Sequence, residues 1–234
     1  MISKIKEHMI LKIGHRGAVG YEPENTLLSF KKALELNVDM IELDVHVCKT
    51  GEVVAIHDDK VDRTTDGKGY VAKKTFQKIR TLDAGKGQKI PMLQEVLDMV
   101  DRKAKINIEL KGKGTAKPVF GIIEKYVKEK GWSYDDFLIS SFNRHELQKF
   151  YQLNPKVRLG ILIGRTAVSF ERIAKKIHAY SVNAKMELVN KNFADDTRKK
   201  GLKVFVWTVN DFKDIERMKL LEVDGICSDF PDRL

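Results

Sequence analysis

The chain has 234 residues, enough to bury one large hydrophobic core but short for two domains of ordinary size. Its 42% hydrophobic and 32% charged residues exclude a disordered chain, and no stretch reaches the roughly 18 uncharged apolar residues of a membrane span. The net charge of +10 favours an anionic ligand, but the cations are scattered and no strip of arginines and aromatics indicates a nucleic-acid groove. We therefore expect no nucleic-acid partner and no stable insertion into a membrane.

Short apolar runs alternate with longer amphipathic stretches, which is typical of βαβ units and a parallel sheet. In chain order, the predicted strands are Ile10–Ile13, Met40–Val47, Ile106–Leu110, Phe137–Ser141, Leu159–Ile163, Tyr180–Ala184, Val204–Val209 and Gly225–Cys227. The predicted helices are Thr26–Leu36, Leu93–Val100, Val119–Lys130, Arg144–Tyr151, Phe170–Ala179, Lys191–Lys200 and Lys213–Leu221. Asn143, with Glu146 three residues later, predicts a capped helix start. Gly131 and Gly201 are each predicted to end a helix as a residue in the left-handed backbone conformation.

Eight parallel strands with helical crossovers predict an α/β fold, the TIM (β/α)8 barrel, which usually takes about 250 residues. An open doubly wound sheet is the alternative, but the chain lacks the Gly-x-Gly-x-x-Gly turn of such sheets. An extra apolar run, Val53–Ile56, and several glycine turns interrupt the pattern after the second strand. We expect a single domain over residues 1–234 with a small insertion after the second strand, at about residues 51–90.

Charged side chains stand at the carboxyl ends of the second and third predicted strands, where the active sites of such barrels are built. Glu42 and Asp44 share one face of a strand, as do Glu109 and Lys111 on the next. Because buried carboxylates are costly unless they are paired or bind a metal, the three acids predict a cation site. Ligands that are all oxygen select Mg²⁺ or Ca²⁺ over zinc.

Two histidines and two cations are predicted to surround this acidic cluster. His15 ends the first strand and His57 ends the extra run, and histidine is the side chain best suited to move protons near neutral pH. Arg16 and Lys111 are charge-assisted donors that suit a phosphate. No serine or cysteine lies in a nucleophile elbow, so a covalent acyl enzyme is not expected.

Other polar residues are predicted to be structural. The remaining histidines lie away from the acidic cluster and are expected to make ordinary hydrogen bonds: His8, His46, His145 and His178. Four aspartates after the extra run fail the EF-hand spacing and are expected to form turns: Asp58, Asp59, Asp62 and Asp66. Two cysteines, Cys48 and Cys227, are too few for a disulfide scaffold, and the first residues lack the apolar core of an export signal, so we expect a cytoplasmic protein.

The order of these motifs resembles the glycerophosphodiester phosphodiesterase family over nearly the whole chain. The matching runs are His15-Arg16-Gly17, Pro23-Glu24-Asn25-Thr26, Glu42-Leu43-Asp44-Val45, His57-Asp58, Arg63-Thr64-Thr65, Glu109-Leu110-Lys111, Ser141-Phe142, Trp207-Thr208-Val209-Asn210, Asp224-Gly225 and Ser228-Asp229-Phe230-Pro231. His46, Cys48 and Cys227-Ser228 depart from the family pattern, but none belongs to the proposed catalytic set.

The resemblance implies hydrolysis of glycerophosphodiesters to sn-glycerol 3-phosphate and an alcohol. By the family pattern, His15 and His57 are the general acid and base, while Arg16 and Lys111 hold the phosphate. Glu42, Asp44 and Glu109 are implied as ligands of a divalent metal, Mg²⁺ or Ca²⁺. Two alternatives stay open: a lysophospholipase D that uses the same site on single-chain lipids, and a phosphodiester-binding barrel without catalysis.

Overall fold

A computed structural model gives the structure of residues 9–165 and 170–234, so the role predicted for His8 concerns a residue outside the described ranges. The strands of these ranges form one sheet: β1 (Leu11–Gly14), β2 (Met40–Val47), β3 (Val53–Ala55), β4 (Lys105–Leu110), β5 (Phe137–Ser141), β6 (Arg158–Ile163), β7 (Ser181–Lys185), β8 (Lys203–Trp207) and β9 (Gly225–Ser228). Eight of them are parallel, in the order β1-β9-β8-β7-β6-β5-β4-β2, and pairing of β1 with β2 closes the ring. The predicted TIM barrel is confirmed, and the open sheet is excluded.

Helices lie between most of the barrel strands. They are α1 (Leu27–Glu35), α2 (Phe76–Thr81), α3 (Leu93–Val100), α4 (Ala116–Glu129), α5 (Arg144–Leu153), α6 (Glu171–Lys176), α7 (Lys191–Lys199) and α8 (Phe212–Leu220). Gly131 and Gly201 have positive φ angles of 71° and 75°, as predicted for left-handed residues after helix ends. Among the described residues, no helix is long and apolar enough to cross a membrane.

The start of α5 follows the predicted cap only in part. The Asn143 side chain accepts hydrogen bonds from the backbone N–H groups of His145 and Glu146, which confirms it as the cap. The Glu146 carboxylate does not turn back to Asn143 but accepts bonds of 3.0 Å from the N–H groups of Gly114 and Ala116. Glu146 therefore supplies acceptors to backbone N–H groups at the start of α4, the preceding helix, which have no partner within that helix.

Alternation along β2 separates two environments. Ile41, Leu43 and Val45 are fully buried in the main core beneath the helices. The residues between them, including Glu42 and Asp44, point to the opposite face, because successive side chains of a strand alternate. That face lines the barrel interior, so the fold places charged side chains where a purely structural barrel would carry large aliphatic ones.

The insertion after β2 begins with β3, which pairs antiparallel with β2. It has a small core of its own, formed by Cys48, Val54, Ile56, Val61, Val71, Ile79, Ala84 and Ile90. The side chains of Asp62 and Asp66 accept backbone hydrogen bonds from Gly69 and Asp83, as predicted for turn formers. The insertion places His57 beside β2 and near Asp44, because Ala55 pairs with Val45 and the N–H of Ile56 donates to the carbonyl of Asp44.

Some element bounds differ from those predicted. Helix α2 lies in the insertion, where the glycine turns gave no helical pattern. Helix α6 spans Glu171–Lys176 rather than Phe170–Ala179, because the chain turns at Ile177 and His178 has a φ of 45°. Strand β8 ends at Trp207, two residues before the predicted Val209.

Candidate active site

Three carboxylates from two neighbouring strands meet inside the barrel. Asp44 of β2 is paired in register with Glu109 of β4, and Glu42 lies two residues earlier on the same face of β2. Each of the three offers an oxygen within 4.8 Å of the others, and their residues are only 7%, 1% and 8% exposed for Glu42, Asp44 and Glu109. The structure thus brings together the acidic set that the spacing predicts.

Burial of these like charges is expensive. Burial and the negative charge of Asp44 raise the pKa of Glu42 to about 7 and the pKa of Glu109 to about 8. Burial also acts to raise the pKa of Asp44, but the charges of Arg16 and Lys111 outweigh it and hold that pKa below its usual value. A divalent cation would relieve the repulsion, and three buried carboxylate donors fit a hard ion such as Mg²⁺ or Ca²⁺.

Arg16 and Lys111 border the carboxylates. The Lys111 Nζ lies 2.9 Å from Glu109 Oε1 and 3.8 Å from Asp44 Oδ1. The backbone N–H of Arg16 donates to Glu42 Oε2 at 2.9 Å, from a residue with a positive φ of 48°. Its guanidinium Nε is buried 3.3 Å from Asp44 Oδ2, yet it makes no hydrogen bond there. Arg16 thus keeps a buried donor that an anionic ligand could satisfy.

His57 is held from three sides. Its Nδ1 donates to Asp58 Oδ1 at 2.6 Å, and its backbone carbonyl accepts a bond of 3.1 Å from His46 Nε2. The Lys111 ammonium lies 3.1 Å from His57 Nε2, and an ammonium can only donate, so Nε2 is an unprotonated acceptor. Burial and the nearby cations outweigh Asp44 and Asp58 and lower the pKa of His57.

His15 has the opposite electrostatic setting. Its Nδ1 donates to Asp229 Oδ1 at 2.5 Å, and Asp229 is itself fixed by Asn210 Nδ2 at 2.7 Å. Burial acts to lower the pKa of His15, but the bond to Asp229 and the charge of Glu42 outweigh it, so the pKa is raised. The two histidines therefore differ in proton affinity, and His15 has the higher affinity.

A cavity of about 150 Å³ opens at this end of the barrel. Its walls include His15, Arg16, Glu42, His57, Glu109 and Lys111, so six of the seven predicted site residues border one space. Asp44, the seventh, lies behind them and contacts Arg16 and Lys111. His145 and His178 lie outside this cavity.

Comparison with known proteins decides the family. Residues 15–233 match the model of the glycerophosphoryl diester phosphodiesterase family. The chain belongs to this family. It is 38% identical to a glycerophosphodiester phosphodiesterase of Caldanaerobacter subterraneus subsp. tengcongensis, over 96% of both chains, and 38% identical to one of Bacillus altitudinis, over 94% of both. It also resembles the structure of an Oleispira antarctica phosphodiesterase in complex with the product sn-glycerol-3-phosphate, with a TM-score of 0.87 and 27% identity over 94% of this chain and 93% of that one.

This member of the phosphodiesterase family also contains a network of charged side chains that the sequence pattern does not predict. Arg63 donates to both oxygens of Asp58 at 2.7 and 3.0 Å and to both oxygens of Glu24 at 2.7 and 2.8 Å. Glu24 in turn accepts a bond of 2.8 Å from Arg16. The network therefore joins the partner of His57 to Arg16 at the other side of the cavity.

Asp58 was expected only as a turn residue, and its contacts with His57 and Arg63 correct that expectation. His46, expected to be structural, does make a structural bond, but the bond holds the backbone of His57. Asn25 donates to Asp44 Oδ2 at 2.9 Å and so fixes one of the carboxylates. Asp58, Glu24 and Arg63 all lie in runs that match the family pattern, but only the adjacency of Asp58 to His57 indicates a contact, because Glu24 and Arg63 are 39 residues apart and meet only in the folded chain.

Proposed function

We propose that this phosphodiesterase hydrolyses glycerophosphodiesters to sn-glycerol 3-phosphate and an alcohol, with a divalent cation as cofactor. The observation that carries the proposal is the pairing of His15 and His57, in opposite electrostatic settings, around one cavity that also contains a buried acidic cluster. The two relatives that are 38% identical are glycerophosphodiester phosphodiesterases, which supports the same reaction class.

Glu42, Asp44 and Glu109 would hold the cation, either Mg²⁺ or Ca²⁺. Once bound there, a divalent cation supplies Lewis acidity to a phosphoryl or hydroxyl oxygen and neutralises developing negative charge. The crowding of three buried carboxylates supports this role, since the pKa values of Glu42 and Glu109 are raised to about 7 and about 8 even though Arg16 and Lys111 lie nearby.

Arg16 and Lys111 would bind the phosphate. Arg16 keeps a buried Nε donor without a hydrogen bond, and the Lys111 ammonium lies between Glu109 and His57. Both cations line the cavity next to the acids, so an anionic phosphodiester would contact donors from both sides.

The two histidines would divide the proton transfers. His57 carries its proton on Nδ1, held by Asp58, and offers the lone pair of Nε2, so it is the general base. His15 holds its proton through Asp229 and is the general acid that protonates the leaving alcohol oxygen. The lowered pKa of His57 favours the unprotonated form that a base needs, and the raised pKa of His15 favours the protonated form that an acid needs.

The nucleophile would be the hydroxyl of the substrate next to its esterified glycerol carbon. His57 takes the proton of that hydroxyl, its oxygen bonds to phosphorus, and the alcohol leaves with a proton from His15. The product is a cyclic glycerol phosphate, which water then opens. Such intramolecular attack gains effective molarities of roughly 10⁵–10⁸ M. A 2-deoxyglycerol substrate should lose most of kcat, whereas equal kcat values and no cyclic phosphate by phosphorus NMR would indicate direct attack by water.

A second candidate is lysophospholipase D activity. Phe142 lines the cavity with 48% of its surface exposed, and its ring meets Trp207 edge to face at 5.8 Å. An exposed aromatic residue at the entrance is a contact that the acyl chain of a lysolipid could use. A phosphodiester-binding barrel without catalysis is the third possibility, and it would bind the substrates without turnover.

A substrate panel distinguishes these candidates. Glycerophosphocholine, glycerophosphoethanolamine and the corresponding lysolipids would be incubated with the protein and Mg²⁺, Ca²⁺ or Mn²⁺. The alcohol released from each substrate would be measured, together with sn-glycerol 3-phosphate from the diesters and lysophosphatidate from the lysolipids. We expect the water-soluble diesters to have the higher kcat/KM. A higher kcat/KM for lysolipids would favour the second candidate, and binding without any turnover would favour the third.

The proposed partner is thus a small glycerophosphodiester and not a nucleic acid. A salt titration with duplex and single-stranded DNA tests whether the protein binds nucleic acid, since binding through the net charge of +10 would weaken steeply as the salt concentration rises. The two buried free thiols, Cys48 and Cys227, suit a reducing compartment, and we place the proposed activity in the cytoplasm.

A further inference from the structure

A second cavity adjoins the first at the same end of the barrel. It has a volume of about 580 Å³ and shares Phe142 and Trp207 with the catalytic cavity as a common wall. Its rim carries Arg144, Arg165 and Lys185, and we call it the basic groove. Trp207 is held in place by a bond of 2.9 Å from its Nε1 to the carbonyl of Asn183.

The three cations come from consecutive barrel strands. Arg144 follows β5, Arg165 follows β6, and Lys185 ends β7, and these strands are neighbours in the sheet. Among the residues that line the basic groove in the described ranges, none is acidic. Lys185 contacts Glu187 at 3.3 Å, but within the described residues neither arginine is paired with a carboxylate. The groove therefore has a net positive charge.

Charge is divided across the mouth of the barrel. The carboxylates lie on β2 and β4, whereas Arg144 and Arg165 follow β5 and β6, the next strands of the sheet. Arg16 and Lys111 already contact carboxylates, whereas Arg144 and Arg165 make no ion pair with a carboxylate in the part of the chain that the structure describes. Arginine presents a planar fork of donors that matches phosphate oxygens.

The volumes of the two cavities indicate which part of a substrate would bind in the basic groove. The catalytic cavity, at about 150 Å³, is below the roughly 300–1,000 Å³ typical of small-molecule sites. The basic groove brings the combined space into that range, and its shared wall makes it the neighbouring space for a group attached to the phosphodiester. A diester whose phosphate contacts Arg16 and Lys111 would extend one of its two alcohol groups into the groove.

We propose that the basic groove binds the leaving alcohol and selects alcohols that end in a phosphate monoester. This inference rests on the proposed diesterase function and deepens it by naming the substrate class. A terminal phosphate carries about −1.5 to −2 charges at pH 7 and three acceptor oxygens. It would contact Arg144 and Arg165 while the scissile phosphate occupies the catalytic cavity.

Three substrates with the same glycerol phosphate unit test the selection. Glycerophosphocholine has a cationic alcohol, glycerophosphoglycerol a neutral one, and glycerophosphoglycerol phosphate an anionic one. Partly exposed cations contribute modestly, so we expect kcat/KM for the phosphate-terminated substrate to exceed that for glycerophosphoglycerol by about tenfold, and the choline substrate to be the poorest. The preference should shrink at high salt.

The double variant Arg144→Gln/Arg165→Gln should bring the ratio of kcat/KM for the phosphate-terminated and neutral substrates close to one. The matched control is Lys125→Gln/Lys175→Gln, which removes the same net charge from exposed positions of α4 and α6 outside both cavities and should keep the tenfold ratio. Melting temperatures of both variants show whether either is unfolded.

The outcomes separate this inference from the function on which it rests. Turnover of all three substrates with no preference for the phosphate terminus would overturn the groove proposal and leave the diesterase function intact. The groove proposal would also be overturned if both double variants lost the preference equally, because the overall charge of the protein would then be the cause of the preference. An absence of turnover for every substrate and metal would overturn the proposed function and the groove proposal together.

Discussion

The network around Arg63 gives a prediction that the catalytic residues themselves do not. We expect Arg63→Gln to lower kcat/KM although Arg63 is outside the catalytic set. Its four bonds reach two carboxylates, those of Asp58 and Glu24, and Asp58 orients His57. Loss of Arg63 would leave Asp58 free to rotate away from the imidazole, so His57 would be less well aligned with the attacking hydroxyl.

The exposure of Arg63 determines how large the loss of kcat/KM should be. Charge-assisted bonds contribute about 1.5–3 kcal/mol each when they are well protected. The Arg63 side chain is 49% exposed, so the range of about 0.2–1 kcal/mol for each exposed ion pair is the better guide. Two carboxylate partners then give a loss of about 0.4–2 kcal/mol, which corresponds to a fall of about 2–30-fold in kcat/KM. We expect this fall mainly in kcat, because orientation of His57 matters most in the transition state.

Steady-state kinetics with a glycerophosphodiester, together with thermal unfolding, would test this prediction. Arg80→Gln is the matched control, because Arg80 also lies in the insertion and makes a two-point ion pair, with Glu95 at 2.8 and 2.7 Å. Both variants should lose some stability, but only Arg63→Gln should lose kcat, and Arg63→Lys should recover part of it. Unchanged kcat in Arg63→Gln, or an equal fall in Arg80→Gln, would refute the positioning role.

Two further predictions concern Glu146 and the histidines. Glu146→Gln should lower the free energy of unfolding by about 1–3 kcal/mol at neutral pH, because an amide group can accept from only one of the two N–H groups that the carboxylate caps. Although burial opposes the effect, those N–H groups lower the pKa of Glu146. The stability that the carboxylate contributes is therefore fully present above the ordinary carboxyl pKa and is lost as pH falls through the lowered pKa. A stability difference between parent and variant that does not change with pH, measured by denaturant titration, would contradict this. His15→Ala and His57→Ala should each lower kcat/KM by about 10²–10⁴-fold. In the parent, the acidic limb of the pH profile should report protonation of His57 and the alkaline limb deprotonation of His15, and a parent-like rate in either variant would mean that the histidine is wrongly assigned.

The barrel and the position of its site could be predicted because both depend on local pattern. Each parallel strand is a short apolar run, and the rule that barrel sites lie at carboxyl ends places His15, Glu42 and Glu109 at one end without any tertiary information. Spacing of two residues along β2 then puts Glu42 and Asp44 on the interior face. These relations hold for any chain that closes the same barrel.

The network and the basic groove could not be predicted in this way. Glu24 and Arg63 belong to different loops and meet only because the insertion folds over the end of β2. The cations of the groove come from the ends of three different strands, and no single sequence motif joins their three positions. Glu146 was expected to complete the cap of its own helix, but burial against the start of α4 offers its carboxylate two N–H donors instead.

The central claim is that Glu42, Asp44 and Glu109 hold a divalent cation that the reaction requires. Its most direct test is calorimetric titration of chelator-treated protein with Mg²⁺, Ca²⁺ and Mn²⁺, in parallel with activity as each ion is restored. We predict one binding site in the parent, recovery of activity as that site fills, and loss of both in Asp44→Asn with the fold retained by circular dichroism. Full turnover by rigorously metal-free protein, or unchanged metal affinity in Asp44→Asn, would contradict the claim.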